Sequence, residues 1–145
     1  MKEDCKNIYR KARDASGFTQ ERWAEHLGIS PEAVRQYESG KIMPSDDIVL
    51  QMAEISEMLK LPYWHLQRKS RIAAAILPEL DEKGLPEAVL GLLLQIEDFR
   101  ESGMKNLLRI AADGKVDESE CEDFDRALQE ISSLVAKALA LGYAK

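Results

Sequence analysis

The chain has 145 residues, 45% hydrophobic and 32% charged, which leaves room for one ordinary domain or two small ones and excludes a disordered chain. The net charge of −6 weighs against nucleic acid as a partner. Its distribution reduces that objection, since residues 1–41 carry eight Lys/Arg against seven Asp/Glu (+1) and residues 42–145 carry twelve against nineteen (−7).

Ala, Leu, Glu and Lys dominate and strand-type runs are absent, so an all-α fold is expected. A first helix is predicted from about Glu3 to Ala15, on the spacing of Ile8, Ala12 and Ala15 with Tyr9 alongside. Ser16-Gly17 ends it. Thr19 caps a second helix, Gln20 to Leu27, which Gly28 stops. Ser30 caps a third, with Pro31 in its first turn, ending at Ser39-Gly40. Ser45 caps a fourth, whose inner stripe reads Ile48, Met52, Ile55 and Leu59. Pro62 opens a fifth, running through Trp64 and Leu66 to Leu77. Pro78 and Gly84 mark a break, and Pro86 begins a densely apolar helix to Arg100. After Ser102-Gly103 come a short helix, Met104 to Ala112, and a turn at Asp113-Gly114. Asp117, with Glu120 three residues on, caps a last helix to about Leu141. The boundary between halves falls within Leu61–Pro86, which divides the chain into 1–77 and 78–145.

The segment from Thr19 to Lys41 meets the requirements of two short helices packed nearly at right angles through a tight turn. Ala24 is small where the helices touch, and Gly28 tolerates positive φ in the turn. Ile29 points into the core after the turn. Val34 and Tyr37, spaced i and i+3, face the same core, and Trp23 and Leu27 close it from the second helix.

These residues resemble the lambda repressor and Cro-like helix-turn-helix family, also called XRE, over about residues 5–60. The resemblance rests on Thr19-Gln20, Ala24, Leu27-Gly28, Ile29-Ser30, Val34, Tyr37-Glu38, Ser39-Gly40-Lys41 and Pro44. It implies a five-helix bundle that lays its third helix in the major groove of an operator, used mostly by repressors of phages and mobile elements that bind as dimers. By the same resemblance, Thr19, Gln20 and Lys41 contact phosphate, Gln20 also bracing the third helix, and Ser30, Glu32, Arg35 and Gln36 face base edges. Gln36 suits adenine N6 and N7, and Glu32 suits cytosine N4. Arg35 stands open between guanine and phosphate. Arg13 and Glu38 match an ion pair that orients the third helix against the first; a plain surface pair is the other reading. Trp23 departs from the family, which usually places an aliphatic residue there.

In the C-terminal half, Phe124, Leu128, Ile131, Val135 and Ala138 step by four, three, four and three, the average of a coiled-coil seam. The helix from Leu85 to Phe99 is apolar over much of its circumference and so is expected to be buried. Two readings stand for this helical module, an intramolecular core and a homodimer interface. Asp113 to Glu120 resembles the end of a calcium loop, but Arg109 and Ala111 occupy its first ligand positions, so a turn is expected. Arg68-Lys69-Ser70-Arg71 is a basic cluster, read as a solvated face or a contact to flanking phosphates.

Lys2, Glu3, Asp4 and Lys6 interrupt any apolar leader, and no apolar run approaches the ~20 residues of a membrane helix, so a cytoplasmic protein is expected. Cys5 and Cys121 then read as free thiols. With His26 and His65 as the histidines and no Cys-x-x-Cys pair, no metal site and no cofactor are expected. No phosphate loop or catalytic pattern appears. The sequence thus reads as a dimeric DNA-binding regulator. The alternatives are a protein-interaction module, or an antitoxin whose C-terminal helices mask a toxin.

Overall fold

A computed structural model describes residues 7–144; Cys5 and the expected first helix's start at residues 3–6 lie outside the described residues. The fold is all-α. The chain divides into two compact units, Met1–Leu77 and Pro78–Lys145.

The first unit holds α1 (Ile8–Ser16), α2 (Gln20–Leu27), α3 (Pro31–Glu38), α4 (Asp46–Ser56), α5 (Leu61–Lys69) and α6 (Arg71–Ile76). Local chemistry starts most of these helices. Thr19 Oγ1 accepts the Arg22 N–H, Ser30 Oγ that of Ala33 and Ser45 Oγ that of Ile48, each satisfying an N–H with no partner inside its helix. The core gathers Ile8, Tyr9 and Ala12 of α1, Trp23, Ala24 and Leu27 of α2, Val34 of α3, Val49, Met52 and Ala53 of α4, and Leu61. Trp23 is fully buried, so its departure from the family pattern is core packing.

Three expectations need correction. Ala15 is exposed, and Tyr9 joins Ile8 and Ala12 inside. On α4 Val49 and Ala53 join Met52 in the core, Ile48 and Ile55 pack half-buried against it as expected, and only Leu59, 47% exposed, leaves the stripe. The helix stops at Ser56, and Glu57 takes a left-handed φ of 56°, so Leu59 no longer shares its face. The expected fifth helix is two. Ser70 is extended (φ −120°, ψ 118°), and its hydroxyl accepts the Ala73 N–H at 3.1 Å to start α6. Gln67 Nε2 reaches forward to the Leu77 carbonyl, tying α6 back to α5.

A polar chain that runs from the core to the surface braces this unit. Tyr9 Oη lies 2.9 Å from His65 Nδ1, and His65 Nε2 lies 3.0 Å from Asp46 Oδ1. An ionised carboxylate only accepts, so the His65 Nε2 carries the proton that meets Asp46. Lys69 Nζ adds a 2.7 Å contact to Asp46. The bonds to Lys69 and His65 hold the Asp46 carboxyl below its usual range. Its contribution is therefore present above the ordinary carboxylate pKa and lost as pH falls through the depressed one. Burial pushes the Tyr9 hydroxyl pKa up, so that group stays protonated and can donate.

The second unit holds α7 (Leu85–Glu101), α8 (Gly103–Ile110) and α9 (Cys121–Gly142). Ser133 Oγ donates to Gln95 Oε1, Lys137 Nζ lies 3.8 Å from where a Cβ on Gly91 would sit, and Ser102 donates to Glu130. Partners rise in number along α7 as they fall along α9, so the two helices are antiparallel. α8 continues that arm along α9, with Arg109 bound to Glu120 and Asp123. The last helix starts later than expected. Asp117 Oδ1 accepts the N–H groups of Ser119 and Glu120, so it caps the turn before Cys121.

The apolar residues of α7 are not buried by this unit. Val89, Leu90, Leu93, Leu94 and Ile96 are 38–58% exposed, and the helix's one buried residue is Ala88. The expected seam on α9 is open in part: Leu128 is 43% and Val135 47% exposed, while Phe124 and Ile131 are half-buried. Two antiparallel helices have one mutual face, and Ala88, Ala127 and Ala140 supply much of it.

Gly103 sits where the arm bends. A Cβ there would lie 2.3 Å from Glu130 Oε2 and 2.5 Å from Phe99 Cδ2. The Glu130 carboxylate lies over the start of α8, where the helix dipole favours a negative charge. Its Oε2 is buried without a hydrogen-bond partner. Gly103→Ala is expected to destabilise this unit by about 1–3 kcal/mol, because overpacking against the Phe99 ring outweighs the better helix propensity of alanine, about 1 kcal/mol. Urea unfolding of the full chain measures this, and a rise in stability would refute the close packing.

Candidate nucleic-acid interface

The α2–α3 pair is set by its turn. Gly28 takes φ +64°, and the chain folds back so that the Ile29 N–H reaches the Ala24 carbonyl at 3.0 Å. A side chain at that φ is strained, which is why glycine serves here. Trp23, Ala24, Leu27 and Val34 are buried, and Ile29 and Tyr37 are partly buried against the same core. The inner face of α3 is thereby fixed, and the opposite face is left outward.

Glu38, at the end of α3, is a buried carboxylate, 8% exposed. It takes N–H donors from two helices. Arg13 Nε donates to Oε1 at 2.5 Å and Nη2 to Oε2 at 3.2 Å, while Gln20 Nε2 donates to Oε2 at 2.7 Å. Arg13 Nη1 also donates to the Phe18 carbonyl at 2.8 Å. The hydrogen bond to Glu38 raises the Arg13 pKa further, so the guanidinium stays charged. α1 and α2 thus grip α3 through one carboxylate. Sequence reasoning paired Arg13 with Glu38 and gave Gln20 both a phosphate and a brace on the third helix, without naming Glu38 as the group it holds. Nothing in the local spacing links positions 18 residues apart.

The outward residues come together on α3. Ser30 is exposed and its hydroxyl is engaged in the cap. Glu32 Oε2 accepts from Arg35 Nε at 3.0 Å, and Glu32 Oε1 accepts from Gln36 Nε2 at 3.3 Å. Arg35 holds the Glu32 carboxyl below its usual range, with Gln36 and Lys41 contributing less. Lys41 is exposed just beyond α3, where its N–H bonds the Gln36 carbonyl at 3.0 Å. Thr19 is exposed at the start of α2. Among the described residues, no group of three or more His, Cys, Asp or Glu is placed to hold a metal ion.

A family model described as helix-turn-helix matches residues 10–55, about a third of the chain. That segment is an XRE-type helix-turn-helix. Within it, α2 and α3 are the helix pair that names the motif, one used for DNA binding in the family that the segment resembles. The matched span ends within α4, so the α5–α6 hook and the second unit lie beyond it. No curated protein and no solved structure matches the chain. No helix among the described residues is long and apolar enough to cross a membrane.

Proposed function

We propose that the chain is a dimeric, sequence-specific DNA-binding regulator, a repressor of the phage or mobile-element type. The observation that carries this is the helix-turn-helix of residues 10–55 with one face of α3 buried and the other outward. In this reading α3 enters the major groove. Gln36 reads adenine, Ser30 and Arg35 stand at the base edges with Glu32 beside them, and Thr19, Lys41 and the second Nε2–H of Gln20 meet phosphate. Arg13 and Glu38 fix the angle at which α3 is presented.

The second unit supplies the dimer contact. At about 100° per residue, Leu85, Val89, Leu93 and Ile96 share one face of α7. The antiparallel register places that face on the same side of the hairpin as Leu128, Ile131 and Val135. Two such hairpins face to face make a four-helix bundle, which covers side chains one hairpin leaves open.

Gln36 and Lys41 separate reading from anchoring. On a duplex enriched from a random library by the full-length chain, Gln36→Ala should weaken binding about tenfold, with little change on shuffled DNA. Lys41→Ala should weaken both and lower the salt slope by roughly one unit. Equal losses for Gln36→Ala on the two duplexes reject base reading, and an unchanged slope rejects the phosphate contact.

A second reading is a protein-interaction module or an antitoxin. It is favoured by the second unit's eight Lys/Arg against fifteen Asp/Glu, which beside an open apolar face suit a basic amphipathic partner. Size measurement of the purified chain separates the two, since a stable dimer on its own favours the first.

A further inference from the structure

We infer that Glu32 touches no base and instead positions Arg35 and Gln36 as the two readers, with Arg35 on guanine. This rests on the DNA-binding reading above and assigns the recognition chemistry within it.

The geometry carries the argument. Glu32, Arg35 and Gln36 stand at i, i+3 and i+4 of α3, on one outward face. A single carboxylate takes one N–H from each neighbour, Oε2 from Arg35 and Oε1 from Gln36. Both oxygens are therefore occupied by the same two residues that could read bases. To accept from cytosine N4 as well, Glu32 would have to share an oxygen that already holds one of them. A bare carboxylate would also face the phosphates on either side of the groove, whereas a paired one presents less negative charge.

What the carboxylate leaves uncommitted matters as much as what it binds. Arg35 uses Nε, so its Nη1–Nη2 edge remains for guanine O6 and N7. Gln36 uses one of two N–H groups on Nε2, so a carbonyl oxygen and the second N–H remain for adenine N6 and N7. Both side chains are long and rotamer-rich. Holding them in one arrangement before the DNA arrives lowers the ordering cost of binding. It also keeps Arg35, the one cation on α3, from swinging to a phosphate. The exposure of Glu32 allows this without a role in the core.

The test is Glu32→Ala in the full-length chain, with Arg35→Ala and Gln36→Ala beside it. A duplex enriched from a random library by the wild-type chain is titrated together with its single-base-pair variants and a shuffled duplex. Thermal melts should not move, since Glu32 is exposed. Glu32→Ala should bind shuffled DNA at least as tightly as the wild type, because a negative charge is gone. Its preference for the enriched duplex should fall about tenfold, the size of one bidentate base contact. The lost discrimination should fall on base pairs that Arg35→Ala and Gln36→Ala also stop reading. A loss confined to a base pair that neither of those variants affects would mean that Glu32 reads it directly, and the inference fails. Unchanged discrimination overturns it as well. If the wild-type chain enriches no sequence, the DNA-binding reading falls and takes the inference with it. The first two results reject the inference alone.

Discussion

Arg13→Ala is expected to destabilise the first unit by about 3–5 kcal/mol, the usual consequence of leaving one member of a buried ion pair unpaired. Glu38 is 8% exposed and accepts from Arg13 through both oxygens. Without the guanidinium, Gln20 alone remains to bond it, and a neutral amide cannot offset a buried charge. Glu38→Gln should cost less, because Gln keeps an acceptor oxygen for the Arg13 guanidinium and leaves no buried carboxylate without a cation. Arg13→Lys should recover only part of the loss, since an ammonium cannot reproduce the two-pronged contact. Denaturant unfolding of the three variants orders them. If Arg13→Ala and Glu38→Gln cost the same small amount, the pair is a surface contact with no hold on α3.

The second large effect concerns assembly. Leu93→Glu places a charge in the centre of the open apolar face of the second unit. Leu93 is 57% exposed in the single chain, so the substitution should leave each unit folded. The dimer should be lost, and with it the second half-site contact. Affinity for a two-fold operator should then fall toward the non-specific level, at least about 10³-fold weaker. Sedimentation of the wild type and variant, followed by titration of an intact operator and a half-site, measures both. A variant that stays dimeric, or a wild type that is monomeric at high concentration, would remove the second unit from the recognition mechanism.

What could be read from the sequence was chiefly local. Thr19, Ser30 and Ser45 each cap the helix they precede, and a cap depends on three or four neighbouring residues. Gly28 could be placed because the turn demands a positive φ. The order of Trp23, Ala24, Leu27 and Val34 around it marks the motif in the sequence alone. Errors came where a local signal was weak or where a distant partner decided the outcome. The run Ile72-Ala73-Ala74-Ala75-Ile76 continues the helical pattern of α5, and only the Ser70 hydroxyl reveals the break. His65 received no structural role from the sequence, which set it only against a metal site. Its true setting between Tyr9 and Asp46 joins positions 56 and 19 residues away. Gln20 was expected to brace α3 as well as to meet phosphate, but only the fold shows that Glu38 is what it holds. The apolar density of α7 announced burial without saying against what, and one hairpin alone does not provide it.

The central claim is that the outward face of α3 reads a DNA sequence. Fluorescence anisotropy tests it most directly, with the full-length chain, a duplex from upstream of its own coding sequence or enriched from a random library, and a shuffled duplex, across a salt series. The account predicts tight binding to the specific duplex, at least about 10³-fold over the shuffled one, and a steep weakening with salt on both. Equal binding to the two duplexes at every salt concentration would contradict it.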